Sequence, residues 1–390
     1  MSQYMYTDAS NHSLEGIEEI VINAIEADIT LANASDNQVS WEADWRDAVG
    51  HPEIIREGNR LIIRFNERNI YFNFFGISIG KTRERAWKGS LEAAKIYIPN
   101  GFPRLFVNLV SGDVLFDNLN LERSCRFNTL SGNVRGAHLH AKEVKVTTKS
   151  GDISLKGIIC ENLILETFSG DVNMISHSCR RAHLKSKSGD IRISEGLGDL
   201  KELTVDNISG DIFVDRAPAM SKLTSISGDI RFSSREKKGI DWSLRSVSGD
   251  IVLETADIRS RLFFSTISGE MRFLNVKPGY SAKNEYVLGT GEDGKIALQT
   301  VSGDARLQFM ETDPSQSVKE EPIASAEGDS ERKAYTKRFV QPDENVQKVV
   351  QMNSQGILSK EEAVDLLHSM GYKEEEIALF LEKEEQQEGE

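Results

Sequence analysis

The chain is poor in cysteine, proline and tryptophan, with three, eight and four in 390 residues. Three thiols cannot staple a chain of this length, so its stability has to come from a packed core. No run of eighteen apolar residues occurs, so no segment reads as a membrane-crossing helix. The opening MSQYMYTDASNHSLEG has neither a basic start nor an apolar stretch, so it does not read as a secretion signal. Positive charge is short as well. Lys and Arg number 47 against 61 Asp and Glu, a net charge of −14. Residues 311–390 carry 20 acidic and 9 basic side chains, so most of the acidity sits there and the body is near neutral. With no basic stripe, nucleic acid is not an expected partner. The expectation is a cytoplasmic protein, with a surface or membrane-peripheral location as the alternative.

What the chain does have is a phrase, Ser-Gly-Asp, repeated along most of its length. It begins at Ser111, Ser131, Ser150, Ser169, Ser188, Ser209, Ser227, Ser248, Ser268 and Ser302, with Asn133 and Glu270 replacing the Asp. The steps are 20, 19, 19, 19, 21, 18, 21, 20 and 34 residues. A period near twenty marks a stack of coils, each covering the next.

Counting from the repeat Ser, position −4 is apolar in all ten copies, from Val107 and Phe127 to Leu298. Positions +3 and +5 are almost as uniform, with Gly136 the smallest occupant. Spacing by two is strand spacing, and the change of parity across Gly-Asp demands a corner. Gly tolerates the positive φ such a corner needs. The predicted turn residues are Gly112, Asp113, Gly151, Asp152, Gly170, Asp171, Gly189, Asp190, Gly210, Asp211, Gly228, Asp229, Gly249, Asp250, Gly303 and Asp304. Each Asp is expected to accept N–H bonds at its corner, as in an Asx turn. Position −2 is Thr, Ser or Asn in nine copies, which predicts a ladder of short polar side chains beside the apolar columns.

The predicted fold is all-β: a single-stack β-solenoid of roughly 20-residue coils with two or three strands per coil. Four segments follow: irregular β coils and a cap over 1–105, the solenoid over 106–310, a flexible linker over 311–342 and a three-helix interaction module over 343–386. Residues 1–15 read as frayed. Ala27-Asp28-Ile29-Thr30-Leu31 echoes the repeat without its Ser-Gly. The long step to Ser302 reads as a hairpin excursion before the last rung. In the tail, Ser359 and Glu362 form a capping box, and Gly371 ends that helix.

Leu184–Ile193, LKSKSGDIRI, shows the repeat as L-x-[ST]-x-S-G-D-[IV]-x-[ILF]. On this pattern the chain resembles, over residues 16–310, the bacterial putative-adhesin β-strand repeat family of cell-envelope-stress proteins. The resemblance implies a β-helix-like fold and a binding or regulatory role, with no catalytic residues. The Met370-Gly371-Tyr372 loop is similar to that of ubiquitin-associated-type helical modules, and Gly356–Glu362 is similar to the short helical tails of bacterial oligomerising proteins.

Several motifs invite chemistry. Two carboxylates about 5 Å apart could serve a retaining glycosidase, but any stacked ladder has that spacing, and catalysis needs two unlike environments. A calcium ladder lacks the G-G-x-G-x-D signature. Gly289–Gly294 matches G-x-G-x-x-G but leads into a strand pattern rather than a helix. Gly76–Gly80 matches G-x-S-x-G without the alternating strands and helices of a hydrolase. His138, His140, His177 and Cys179 have no recognised zinc spacing. Cys160 and Cys179, each ten residues after its Ser, read as stacked core thiols, with a disulfide geometrically open.

The interaction signal is position −1, which should face outward yet is apolar in eight copies. The predicted partner-binding residues are Ile208, Ile226, Val247, Ile267 and Val301, with Met370 and Tyr372 in the tail. Mutual packing along this column, or cover by a flanking loop, is the competing reading. Arginines at +4 (Arg135, Arg192, Arg231, Arg272 and Arg306) are placed to neutralise the Asp column or to meet an acidic partner. The overall expectation is a non-enzymatic binding or scaffold protein, with no cofactor, an unidentified protein partner and self-association as an option. A carbohydrate-active β-helix enzyme and a self-assembling scaffold are the alternatives.

Overall fold

The computed structural model describes residues 4–8, 14–46, 52–65, 70–73, 76–79, 90–194, 200–282, 284–310, 363–364 and 368. The chain divides into two compact units, Met1–Leu307 and Gln308–Glu390. In the second unit Ala363, Val364 and His368 are helical, and the rest of the predicted helical module, including Met370 and Tyr372, lies outside the described residues.

The first unit is a stack of rungs. Each rung carries one strand that ends at the repeat Ser and another that starts three residues later. Glu143–Ser150 and Ile153–Lys156 form one such pair. Successive copies are parallel and in register: Ser131 lies beside Ser150, Ser150 beside Ser169, Ser169 beside Ser188, and so on to Ser248. The second strands keep the same register, from Val114 and Val134 to Ile230 and Ile251. The Gly-Asp corners therefore lie one above the next.

The apolar columns fill the interior. All ten residues at −4 are buried, Phe264 being the most exposed at 6%. At +5, Gly136 leaves a gap that Phe116 of the neighbouring rung fills: a Cβ added there would lie 2.2 Å from its ring. That ring in turn stacks on Phe127, with centroids 5.1 Å apart.

The corner works differently from an Asx turn. Each Asp accepts from the next rung rather than from its own turn. The backbone N–H of Asp171 donates to Asp152 Oδ1 at 2.9 Å, that of Asp190 to Asp171 at 2.8 Å, and that of Asp211 to Asp190 at 2.9 Å. The chain of bonds starts at Asp28, whose Oδ1 accepts from Asp113 N–H at 2.9 Å, so the Ser-less echo is a true rung. Polar side chains at −2 satisfy the Gly carbonyls one rung back, as Thr167 Oγ1 does toward Gly151 O at 3.3 Å and Asn207 Nδ2 toward Gly189 O at 3.0 Å. The Asp bond recurs from rung to rung and the −2 bond in five of the rungs, so a contribution of about 1 kcal/mol is multiplied along the stack.

A second corner sits at +7. Asn118, His138, Gly157, Ser176, Arg216 and Asn275 all have φ between 50° and 64°. Their side chains share no chemistry, so this bend is not legible from residue type.

Both ends depart from a simple rung-after-rung order. At the start, Glu19–Asn23 pairs in parallel with Arg60–Arg64, and Asp28–Asn33 with Ala93–Ile98. Antiparallel strands then close the stack: Glu53–Glu57 on Arg60–Arg64, and Ser40–Arg46 on Ser90–Ile98. Tyr4–Asp8, read from sequence as frayed, is a strand on Trp41–Trp45, because this edge offers it a row of backbone partners. At the other end, the rung of Ser302 is not the last in space. Ser302 lies between Ser248 and Ser268. Asp304 N–H donates to Asp250 at 2.8 Å, and Glu270 N–H donates to Asp304 at 2.9 Å. The 34-residue step is thus a return path. The chain builds the outer rung first, turns through the hairpin of Gly279–Ala282 and Glu285–Val287, and slots its final rung underneath.

Candidate binding surface

Stacking turns each sequence position into a column on the surface, so candidate residues are judged by exposure. At −1, the predicted apolar stripe divides. Phe168 is 50% exposed and Ile267 44%, and Ile208 is half-buried. Ile226, Val247 and Val301 are buried, which removes them from any platform open to a partner. These three occupy consecutive rungs, since Ser227, Ser248 and Ser302 are register neighbours. Phe168, by contrast, sits between Lys149 and Lys187. The Lys187 ammonium lies 4.8 Å from the Phe168 ring centroid, and burial lowers its pKa.

The +4 column supplies a second exposed group that the sequence reading passed over. Phe213 is 42% exposed and stands in register between Arg192 and Arg231. Leu115 is 36% exposed in the same column. The available signal was an apolar residue where most other rungs carry a polar one. Three arginines of this column are held by acidic neighbours: Arg192 by Asp190 at 2.8 Å, Arg272 by Asp304 at 3.0 Å and Arg135 by Asp113 at 3.4 Å.

The catalytic and metal motifs do not assemble. Ser78 lies within the strand Gly76–Ile79 of a hairpin with Ile70–Asn73, not at a strand-to-helix elbow. Gly294 opens the strand Gly294–Ser302, and the Asp293 carboxylate accepts from the Arg259 backbone N–H at 3.0 Å and from its guanidinium. His138 pairs with Asp117 and His140 with Asn120 on the surface, while His177 is buried. Among the described residues no group of three or more His, Cys, Asp or Glu is arranged to hold a metal ion. A shallow hollow of about 260 Å³ lies where the corner column ends, lined by Glu26, Ala27, Asp28, Leu91, Glu92, Ser111 and Gly112. Its Asp28 is already committed to Asp113.

A parallel, in-register stack with an Asp-bonded corner defines a β-solenoid. The chain belongs to the Toastrack DUF4097 family, whose model matches residues 17–261. No curated protein matches it. Among solved structures it is similar to a putative adhesin of Parabacteroides distasonis ATCC 8503, at 9% identity and a TM-score of 0.39, covering 79% of this chain and 97% of that one. It is also similar to a putative adhesin of Bacteroides fragilis NCTC 9343, at 13% identity and a TM-score of 0.32 with the same coverage. A putative cell adhesion protein of Clostridium sporogenes ATCC 15579 matches at 8% identity and a TM-score of 0.18, over 79% of this chain and all of that one. Among the described residues no helix is long and apolar enough to cross a membrane.

Proposed function

We propose that the protein is a non-enzymatic binding scaffold, whose solenoid presents the Phe168–Ile208 region of the −1 column to a protein partner. The observation that carries this reading is the commitment of the carboxylates. Each corner Asp accepts the next rung's N–H, so its carboxylate is tied into the stack rather than set apart as acid or base. What differs from rung to rung is the outward side chain, and Phe168 with its lysine neighbours is where that difference gives an exposed aromatic surface. Regulation of the cell-envelope stress response is the setting we propose for it, in line with the family it resembles by sequence. In affinity capture with the full chain, Phe168→Asp with Ile208→Asp should lose at least tenfold of the specifically retained partner while far-UV circular dichroism stays unchanged. Full retention by the double variant would refute the platform.

Leu274, 45% exposed on the end-rung strand Met271–Leu274, favours a second reading, self-association through that end. Sedimentation velocity should then show larger species as concentration rises, and Leu274→Asp should abolish them. A lone monomer at every concentration would sink this second reading and leave the first intact.

A further inference from the structure

Cys160 and Cys179 are register partners on the parallel strands Ile159–Ser169 and Ser178–Ser188. Their sulfurs are 2.9 Å apart, and both are free thiols. Cys179 is buried and Cys160 is half-buried, so Cys160 is the member of the pair that borders solvent. Neighbouring strands hold their Cα atoms within the range a disulfide spans, and in-register parallel pairing points both side chains the same way. Cys125, the remaining thiol, is buried on the strand Val114–Ser131.

We propose that Cys160 and Cys179 form a reversible redox modification site, closed to a disulfide by a low-molecular-weight disulfide such as glutathione disulfide. The half-exposed Cys160 thiolate attacks one sulfur of the oxidant and releases the other half as a thiol. The Cys179 thiolate then attacks the Cys160 sulfur, and the second half leaves as a thiol. Two protein thiols give up two protons and two electrons, and the oxidant is reduced to two thiols. The hydrogen bond to Cys179 and burial both push the Cys160 thiol up, so its thiolate is scarce at neutral pH. Closure is therefore slow at pH 7 and speeds up about tenfold per pH unit as the solution is made alkaline. The product joins two adjacent rungs across a 19-residue step, inside a body that contains no other cysteine pair.

The test uses the full chain, incubated to equilibrium with glutathione disulfide at pH 8.5, unfolded, and labelled with a maleimide. The expected result is one labelled cysteine instead of three, an intact mass lower by two hydrogens, and a Cys160–Cys179 peptide that dithiothreitol releases. Cys125→Ser should still close the pair. Cys160→Ser and Cys179→Ser should each prevent it. Three labelled cysteines at equilibrium, or a lasting glutathione adduct on Cys160 with Cys179 still free, would overturn the proposal.

Discussion

Gly189→Ala is expected to cost on the order of 3–5 kcal/mol and to disrupt the rungs on either side of it. A Cβ at Gly189 would lie 2.2 Å from the carbonyl oxygen of Gly170 and 2.6 Å from its carbon. Both atoms are backbone, so no side chain can swing aside. The residue also has φ of +139°, which L side chains rarely adopt. Separating the two rungs would break the bond from Gly170 N–H to Ser188 O at 2.9 Å and that from Asp190 N–H to Asp171 at 2.8 Å. A suitable control is Gly58, with φ of +60° and nothing within 4 Å of an added Cβ. Gly58→Ala should cost only about 1 kcal/mol. Stacked rungs can open locally, so hydrogen exchange resolved by rung is the right measurement. Equal protection in the two variants would show that the close approach at the corner does not matter.

The second large effect is a loss of stability in mild acid, caused by His177. Its ring is 1% exposed, and neither ring nitrogen has a hydrogen-bond partner among the described residues. Burial pushes its pKa down to about 4 from an ordinary 6.5. Between those values the unfolded chain binds a proton that the folded chain refuses. Folding stability therefore falls as the pH drops from 6.5 toward 4, and is unaffected by this group above 6.5. The slope approaches 1.4 kcal/mol per pH unit, which gives about 2 kcal/mol between pH 6.5 and pH 5. Carboxylates contribute below that range, so the wild type is best compared with His177→Leu by urea unfolding at pH 7 and pH 5. The variant should lose most of the pH dependence. An identical dependence in the two chains would mean that His177 is not the group responsible.

The sequence was most informative where stacking enforces uniformity. The columns at −4, +3 and +5 are occupied by apolar residues because each must fit the one above, and all but Gly136, Met271 and Phe273 are buried. The Asp column was legible as corner chemistry, though not its direction: a single repeat reads the same whether its carboxylate serves its own turn or the next rung. The +7 corner stayed hidden because Asn118, His138, Ser176 and Arg216 reach positive φ without a shared side chain. The exposed stripe was read too broadly. Outward orientation follows from alternation, but exposure does not: Ile226 and Val247 are buried where Phe168 is half exposed. Spatial order was the least accessible feature, because register between rungs carries no label for which rung was made first.

The slotted final rung bears on how the molecule is made. A solenoid threaded in simple order could settle coil by coil as it leaves the ribosome. Here the strand of Ser302 wedges between neighbours synthesised before it, so Arg261–Ser265, already able to pair with Glu285–Val287, and Met271–Leu274 cannot join the stack until residues 294–309 have emerged. The last rung behaves as a keystone: a chain cut short before Gly294 would leave the terminal arch unlocked, and emergence of residues 294–309 becomes the step that shuts the stack.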